Sequence, residues 1–158
     1  MLPPGRIYHF AYVVPDLDVA TKELGEIYQV DWAERARRQL RVRAAGEEPL
    51  DLDFWITYST TGPPHIELIE GIPGSIWDPS DGPHLHHVGV WATGDLESAA
   101  RRLVELGLPI VANGVDDGGA PTRFTYHSNP YGPWIELVGP ATREPFERWM
   151  HGEPFVTG

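Results

Sequence analysis

Apolar and polar positions along the chain fall into short stretches punctuated by Gly, Pro and acidic turns. Residues 7–14 form an apolar run of β-branched and aromatic side chains that predicts a strand. Asp16 or Asp18 then stands where a helix cap belongs, and Leu17, Ala20, Leu24 and Ile27 recur at helical spacing, predicting a helix to about Tyr28. Residues 30–44 predict one or two strands, and 52–59 and 65–70 one each, giving the order β-α-β-β-β. The turn-rich stretch 71–83 predicts a linker. The pattern then repeats: a strand at 85–91, a helix capped by Asp95 and running through Leu106 to Gly107, and short strands at 109–112, 123–127 and 134–138. Residues 141–151 predict a last helix. The chain thus divides into a first module at 7–70, the linker 71–83, a second module at 84–140, and a C-terminal helix and tail at 141–158.

The repetition reaches individual residues. His9 opens the first strand and His87 its counterpart, each followed by an apolar run and an acidic helix cap. Each module also closes alike, on Gly62, Pro63 and then Glu67, and on Gly132, Pro133 and then Glu136. A period of roughly 70 to 80 residues is too long for a solenoid. Two copies predict a pseudo-twofold pair, on whose axis matching residues converge.

Two His and two Glu are a metal-site inventory. A single His opening a strand is ordinarily a surface or hydrogen-bonded residue. A Glu among Ile and Leu is less ordinary, because a buried carboxylate is costly unless paired or metal-bound. Two such Glu at equivalent positions, each matched to a His, favour the ligand reading. His86 competes with His87, but aligning the modules selects His87 and leaves His84 and His86 as loop or outer-face residues. Imidazole and carboxylate suit Zn, Ni, Co, Mn or Fe alike.

Composition narrows this further. Cys is absent, which removes disulfides, thiolate ligands and a Cys nucleophile. A hydrophobic content of 41% suffices for a core, while 17 Gly and 16 Pro fit many turns between short elements. The formal charge of -11 matches neither nucleic acid nor an anionic membrane. No run reaches transmembrane length, and Met1 to Arg6 carries no signal-peptide pattern, so a cytoplasmic location is expected. Lys22 is the only lysine, which argues against Schiff-base chemistry.

On these residues the chain resembles the vicinal-oxygen-chelate superfamily (the glyoxalase/bleomycin resistance protein/dioxygenase fold), from about Ile7 to Pro140. The stretch from His65 to Glu70, followed by Gly82 to Val88, is most similar to the methylmalonyl-CoA epimerase and glyoxalase I branches. The loop from Tyr126 to Pro133 matches neither branch closely. The resemblance implies an α+β fold, in which two tandem βαβββ modules form a U-shaped, partly open mixed β-sheet cup around a divalent metal. It places the metal on His9, Glu67, His87 and Glu136.

What the resemblance implies chemically is a metal-dependent lyase or isomerase of the glyoxalase or epimerase type. The ion acts as a Lewis acid that stabilises an enolate, and Glu67 or Glu136 moves the proton. Two rivals stand beside this: a non-haem Fe(II) extradiol-type dioxygenase, which needs only two His and one Glu, and a non-catalytic protein that sequesters an aromatic ligand or drug. Trp55, Tyr58, Trp91, Tyr126 and Trp134 are candidate pocket residues, with ordinary core packing as their alternative. The expected partner is a small molecule, a thioester or an aromatic or hydrophobic carbonyl compound, and a homodimer would cover exposed sheet edges. Arg35, Arg37, Arg41 and Arg43 share one strand face, which reads as solvated outer surface ahead of a phosphate site.

Overall fold

The computed structural model describes residues 7–156; the stretch 1–6, read above for a signal peptide, and residues 157–158 lie outside it. The first module contains β1 (Ile7–Val14), α1 (Leu17–Tyr28), β2 (Ala36–Ala44), β3 (Leu50–Tyr58) and β4 (His65–Glu70). The second contains β5 (His84–Trp91), α2 (Leu96–Glu105), β6 (Ile110–Val115), β7 (Pro121–His127) and β8 (Trp134–Val138). A 3-10 turn at Pro140–Thr142 leads into α3 (Arg143–Met150). Of the 30–44 stretch only 36–44 is a strand; Trp32 contributes an isolated bridge to Ser59. No helix among the described residues is long and apolar enough to cross a membrane.

Both main helices start for the reason their sequences suggest. The Asp16 carboxylate accepts from the Val19 amide at 2.9 Å, and the Asp95 carboxylate from the Ser98 amide at 2.8 Å. Gly107, at φ 85, turns the chain out of α2 in the left-handed region that glycine enters without strain.

The strands hydrogen-bond in one mixed ring, in the order β1-β4-β3-β2-β6-β7-β8-β5 and back to β1. Within each module the first and last strands are parallel (β1 with β4, β5 with β8), and β1 meets β5 antiparallel. The opposite seam is short: β2 and β6 pair only through Val42, Arg43 and Ala44. The ring is completed within one chain, but it leaves residues 36–41 of β2 without a partner on the β6 side.

β1, β4, β5 and β8 bury most of both faces, which is why they read as apolar runs, whereas β2 alternates buried residues with exposed ones. Val14 and Leu68 face outward under α1, packed with Leu17 and Ala20. Val90 and Leu137 do the same under α2, with Ala99, Ala100 and Leu103. The inner faces, including Val13, Ile56, Ile69 and Val138, form the main core, and Phe146, Trp149 and Met150 of α3 join it.

Candidate metal centre

The seam between β1 and β5 carries two compensating irregularities. Ile7 pairs with Val90 and His9 with Gly89, so Tyr8 is an extra residue in β1; Ala11 pairs with His87 and Tyr12 with Leu85, so His86 is extra in β5. Such bulges re-aim side chains. Tyr8, His9, His86 and His87 are all buried, although strict alternation would turn one of each neighbouring pair outward. Between the bulges the pairing is reciprocal: His9 lies across from Gly89 and His87 from Ala11.

The glutamates follow the same symmetry. Glu67 sits beside Ala11 on β1 and Tyr58 on β3; Glu136 sits beside Gly89 on β5 and Tyr126 on β7. All four sequence-predicted ligands are buried, and their donor atoms lie within 4.8 Å of one another. The two Nε2 atoms are 3.0 Å apart. From His9 Nε2, the Oε2 atoms of Glu67 and Glu136 are at 3.2 and 3.4 Å; from His87 Nε2 they are at 3.2 and 3.3 Å.

These spacings fit one ion. Donors about 2.1 Å from a common centre stand about 3.0 Å apart at right angles and about 3.4 Å apart at the tetrahedral angle. Glu67 supplies a second sign: Tyr58 donates its hydroxyl to Oε1 at 2.8 Å, while Oε2 is buried without a hydrogen-bond donor and faces the imidazoles. The cluster can therefore hold a metal ion, and its donors suit several divalent ions.

Without an ion, the four groups charge one another. Burial is the largest influence on each and disfavours the charged forms, but their mutual attraction outweighs it. The Glu136 and Glu67 carboxylates bring His87 up to about 9 and raise His9 as well. The imidazoles in turn hold both carboxyls well below the usual range. A metal entering this site displaces protons from nitrogen.

His87 is oriented from behind. Burial, then the His87 charge, pushes His86 down to about 3, so His86 is neutral. Its Nε2 lies 2.8 Å from the Ile76 carbonyl, which can only accept, so Nε2 carries the hydrogen. His86 Nδ1 must then accept from His87 Nδ1–H at 2.9 Å, so the proton His87 gives up when a metal enters is the one on Nε2, and the lone pair that this frees faces the cluster. Reading His86 as a loop or outer-face residue was incorrect, because the bulge rotates it inward.

A cavity of about 50 Å³ opens onto Glu67 and Glu136. Tyr58 and Tyr126 line it. Trp91 and Trp134 stand behind the wall: Trp91 stacks on Tyr8 at 3.9 Å, and Trp134 meets the His86 ring edge-on at 4.9 Å. Trp55 does not belong to the pocket; β3 turns Phe54, Ile56 and Tyr58 inward, and alternation leaves Trp55 outside, 44% exposed.

Sequence reasoning missed Tyr8, Arg38 and Trp77 in the wall. Trp77 comes from the segment between modules, where its Nε1–H donates to the Tyr126 hydroxyl at 3.2 Å, so that segment is more than a spacer. Arg38 was legible: it shares the inward parity of Ala36, Leu40 and Val42. The arginines of the other face are outer-surface residues. Arg35, Arg37 and Arg41 pair with Asp18, Asp53 and Asp51, and Arg43 donates to the Gly119 carbonyl. His65 and His127 are held by the Ser59 and Leu108 carbonyls, away from the cluster's chemistry.

The family model for the Glyoxalase/Bleomycin resistance protein/Dioxygenase superfamily matches residues 8–126. Among solved structures, the chain is similar to methylmalonyl-CoA epimerase from Mycobacterium tuberculosis, at 20% identity and a TM-score of 0.56, over 87% of this chain and 91% of that one. A variant of the Streptomyces coelicolor methylmalonyl-CoA epimerase, in complex with 2-nitronate-propionyl-CoA, matches at 18% identity and a TM-score of 0.55, over 84% and 95%. A variant of 4-hydroxymandelate synthase from Streptomyces coelicolor matches at 12% and a TM-score of 0.55, over 92% of this chain and 52% of that one. At these identities the likeness is one of fold. No curated protein matches the chain in sequence.

Proposed function

The chain belongs to the glyoxalase/bleomycin resistance protein/dioxygenase superfamily, and from that premise we propose that it is a metal-dependent lyase or isomerase that moves a proton next to the carbonyl of a small substrate. The observation that carries this reading is the convergence of His9, Glu67, His87 and Glu136 on one point beside a cavity. A divalent ion held by these residues would supply Lewis-acid polarisation of a substrate oxygen, which acidifies the neighbouring carbon.

The protein's own groups do the rest. Glu67 and Glu136 both reach the cavity, so either carboxylate is placed to carry the proton. The Tyr58 hydroxyl restrains Glu67 and keeps one of its oxygens aimed inward. Tyr126, Trp77 and Phe54 keep water from the reacting carbon. The likeness to a solved epimerase that holds an acyl-CoA analogue supports a thioester as substrate.

The test begins with elemental analysis of the purified protein beside a His9→Ala/Glu136→Ala double variant. Stoichiometric metal, lost in the variant, is expected. The loaded protein should then exchange the α-proton of a thioester or hemithioacetal with deuterated solvent in the presence of Ni, Co, Zn or Mn. Failure to take up any of these ions would sink the proposal and favour the ligand-sequestering reading. Ring cleavage of a catechol with Fe(II) would favour the dioxygenase.

A further inference from the structure

Arg38 is the one charged residue on the inward face of β2, between Ala36 and Leu40, and it is only 7% exposed. Its guanidinium rests over the rings of Phe146, at 5.5 Å, and Phe155, at 4.8 Å. Among the described residues it has no hydrogen-bond acceptor and no carboxylate in ion-pair contact. Its neighbours on the other face contrast sharply with this, since Arg37 and Arg41 each meet an aspartate. The cation that influences it is Arg123, which repels it from the cavity rim. A buried guanidinium without a counter-ion is expensive, and the ring faces repay only part of that cost.

Arg38 lines the same cavity as Glu67 and Glu136. So does Tyr8, whose hydroxyl is buried without a partner. The cavity therefore joins a cluster of metal ligands to a cationic wall, with unused donors between solvent-poor aromatic surfaces. Glu67 attracts Arg38 from a distance, but neither glutamate is in ion-pair contact with it, and their inner oxygens serve the imidazoles.

We propose that Arg38 is an anion subsite that takes a carboxylate of the substrate, distinct from the oxygen the substrate presents to the metal ligands. This deepens the proposed function and rests on its reading of the cavity as the substrate site. The substrate class it selects is a small carbonyl compound carrying a free carboxylate. A planar two-oxygen group matches the guanidinium fork, and a bound carboxylate also relieves the repulsion between Arg38 and Arg123. The Tyr8 hydroxyl offers a further donor to the bound acid.

Dicarboxylates probe both ends of the cavity at once. Malonate, succinate and glutarate would be titrated calorimetrically into the Zn- or Mn-loaded protein, each beside its monoamide, with phosphonoacetate as a phosphoryl arm. For at least one chain length the diacid should bind roughly tenfold or more tightly than the monoamide, the scale of one charge-assisted contact. Arg38→Met should erase that difference while leaving metal affinity unchanged, and Arg38→Lys should restore part of it. If Arg38→Met lowers the melting temperature steeply, Arg38→Gln provides the same comparison in a folded background.

Retention of the diacid preference in the Met or Gln variant overturns the subsite, as does the lack of any preference in the wild type. Phosphonoacetate depending on Arg38 more strongly than the diacids overturns the carboxylate assignment. If the wild type takes up no metal, the proposed function fails separately. The same acid and amide pairs titrated into metal-free protein then still decide on Arg38.

Discussion

Gly89 leaves the space that the His9 ring fills: a β-carbon there would stand 1.9 Å from His9 Cε1. The backbone at Gly89 is not left-handed, so the demand for glycine comes from the imidazole across the β1–β5 seam and from nothing local. On the reciprocal side, Ala11 faces His87 and its methyl is accommodated.

Gly89→Ala should therefore act through His9. The added methyl forces the ring off its position, at a cost of about 1–3 kcal/mol as overpacking. Metal affinity should fall by tenfold or more while the circular dichroism spectrum keeps its native form. Isothermal titration with Zn or Mn checks this, and an affinity within twofold of wild type would show that the ring has another place to go.

His86→Leu removes the acceptor that orients His87 while keeping an apolar side chain in the bulge. Loss of such a supporting hydrogen bond typically costs 10- to 100-fold in metal affinity. His86→Asn, whose side-chain oxygen can accept from His87 Nδ1–H, should recover part of the loss. In metal-free protein above pH 9, where His87 is neutral, its nitrogen chemical shifts report the same event directly, since the leucine variant should mix tautomers. A single His87 tautomer in both variants would mean that the ring is fixed by other contacts.

The metal-free protein should be most stable in a narrow acidic window. His87 is raised from its ordinary 6.5 to about 9, so the stability its proton contributes is full below 6.5 and lost as pH rises through 9. Glu136 is depressed from 4.5 to about 2, so its contribution is full above 4.5 and lost as pH falls toward 2. Thermal melts in chelator should peak between these limits, near pH 4.5 to 6.5. Saturating metal should reverse the alkaline trend, because the ion competes with protons for His87 and binds more tightly as pH rises. A flat melting profile in chelator from pH 5 to 9 would contradict the paired imidazolium and carboxylate described for the metal-free cluster.

Much of this protein could be read from the chain alone, because the signals are local or repeated. Asp16 and Asp95 cap helices through atoms three residues away. His9 and His87, Glu67 and Glu136 announced themselves by recurring at matched places in two modules, and duplication turns sequence position into spatial symmetry. The inward parity of Arg38 and the outward parity of Trp55 were also available from alternation, a property of any extended backbone.

What alternation does not contain is a bulge. Tyr8 and His86 turn inward only because β1 and β5 pair with one extra residue on each side, and that pairing joins segments 78 residues apart in the chain. The lone pair of His87 depends on the same event, since His86 reaches the Ile76 carbonyl only once the bulge has rotated it. Whether a buried arginine has a partner is likewise a fact about the space around it: Arg37 finds Asp53 across β3, while Arg38, one residue on, finds two phenyl rings and an open cavity. Local chemistry names the donors, but their angles and unmet charges arise from contacts between distant segments, which only the assembled ring brings together.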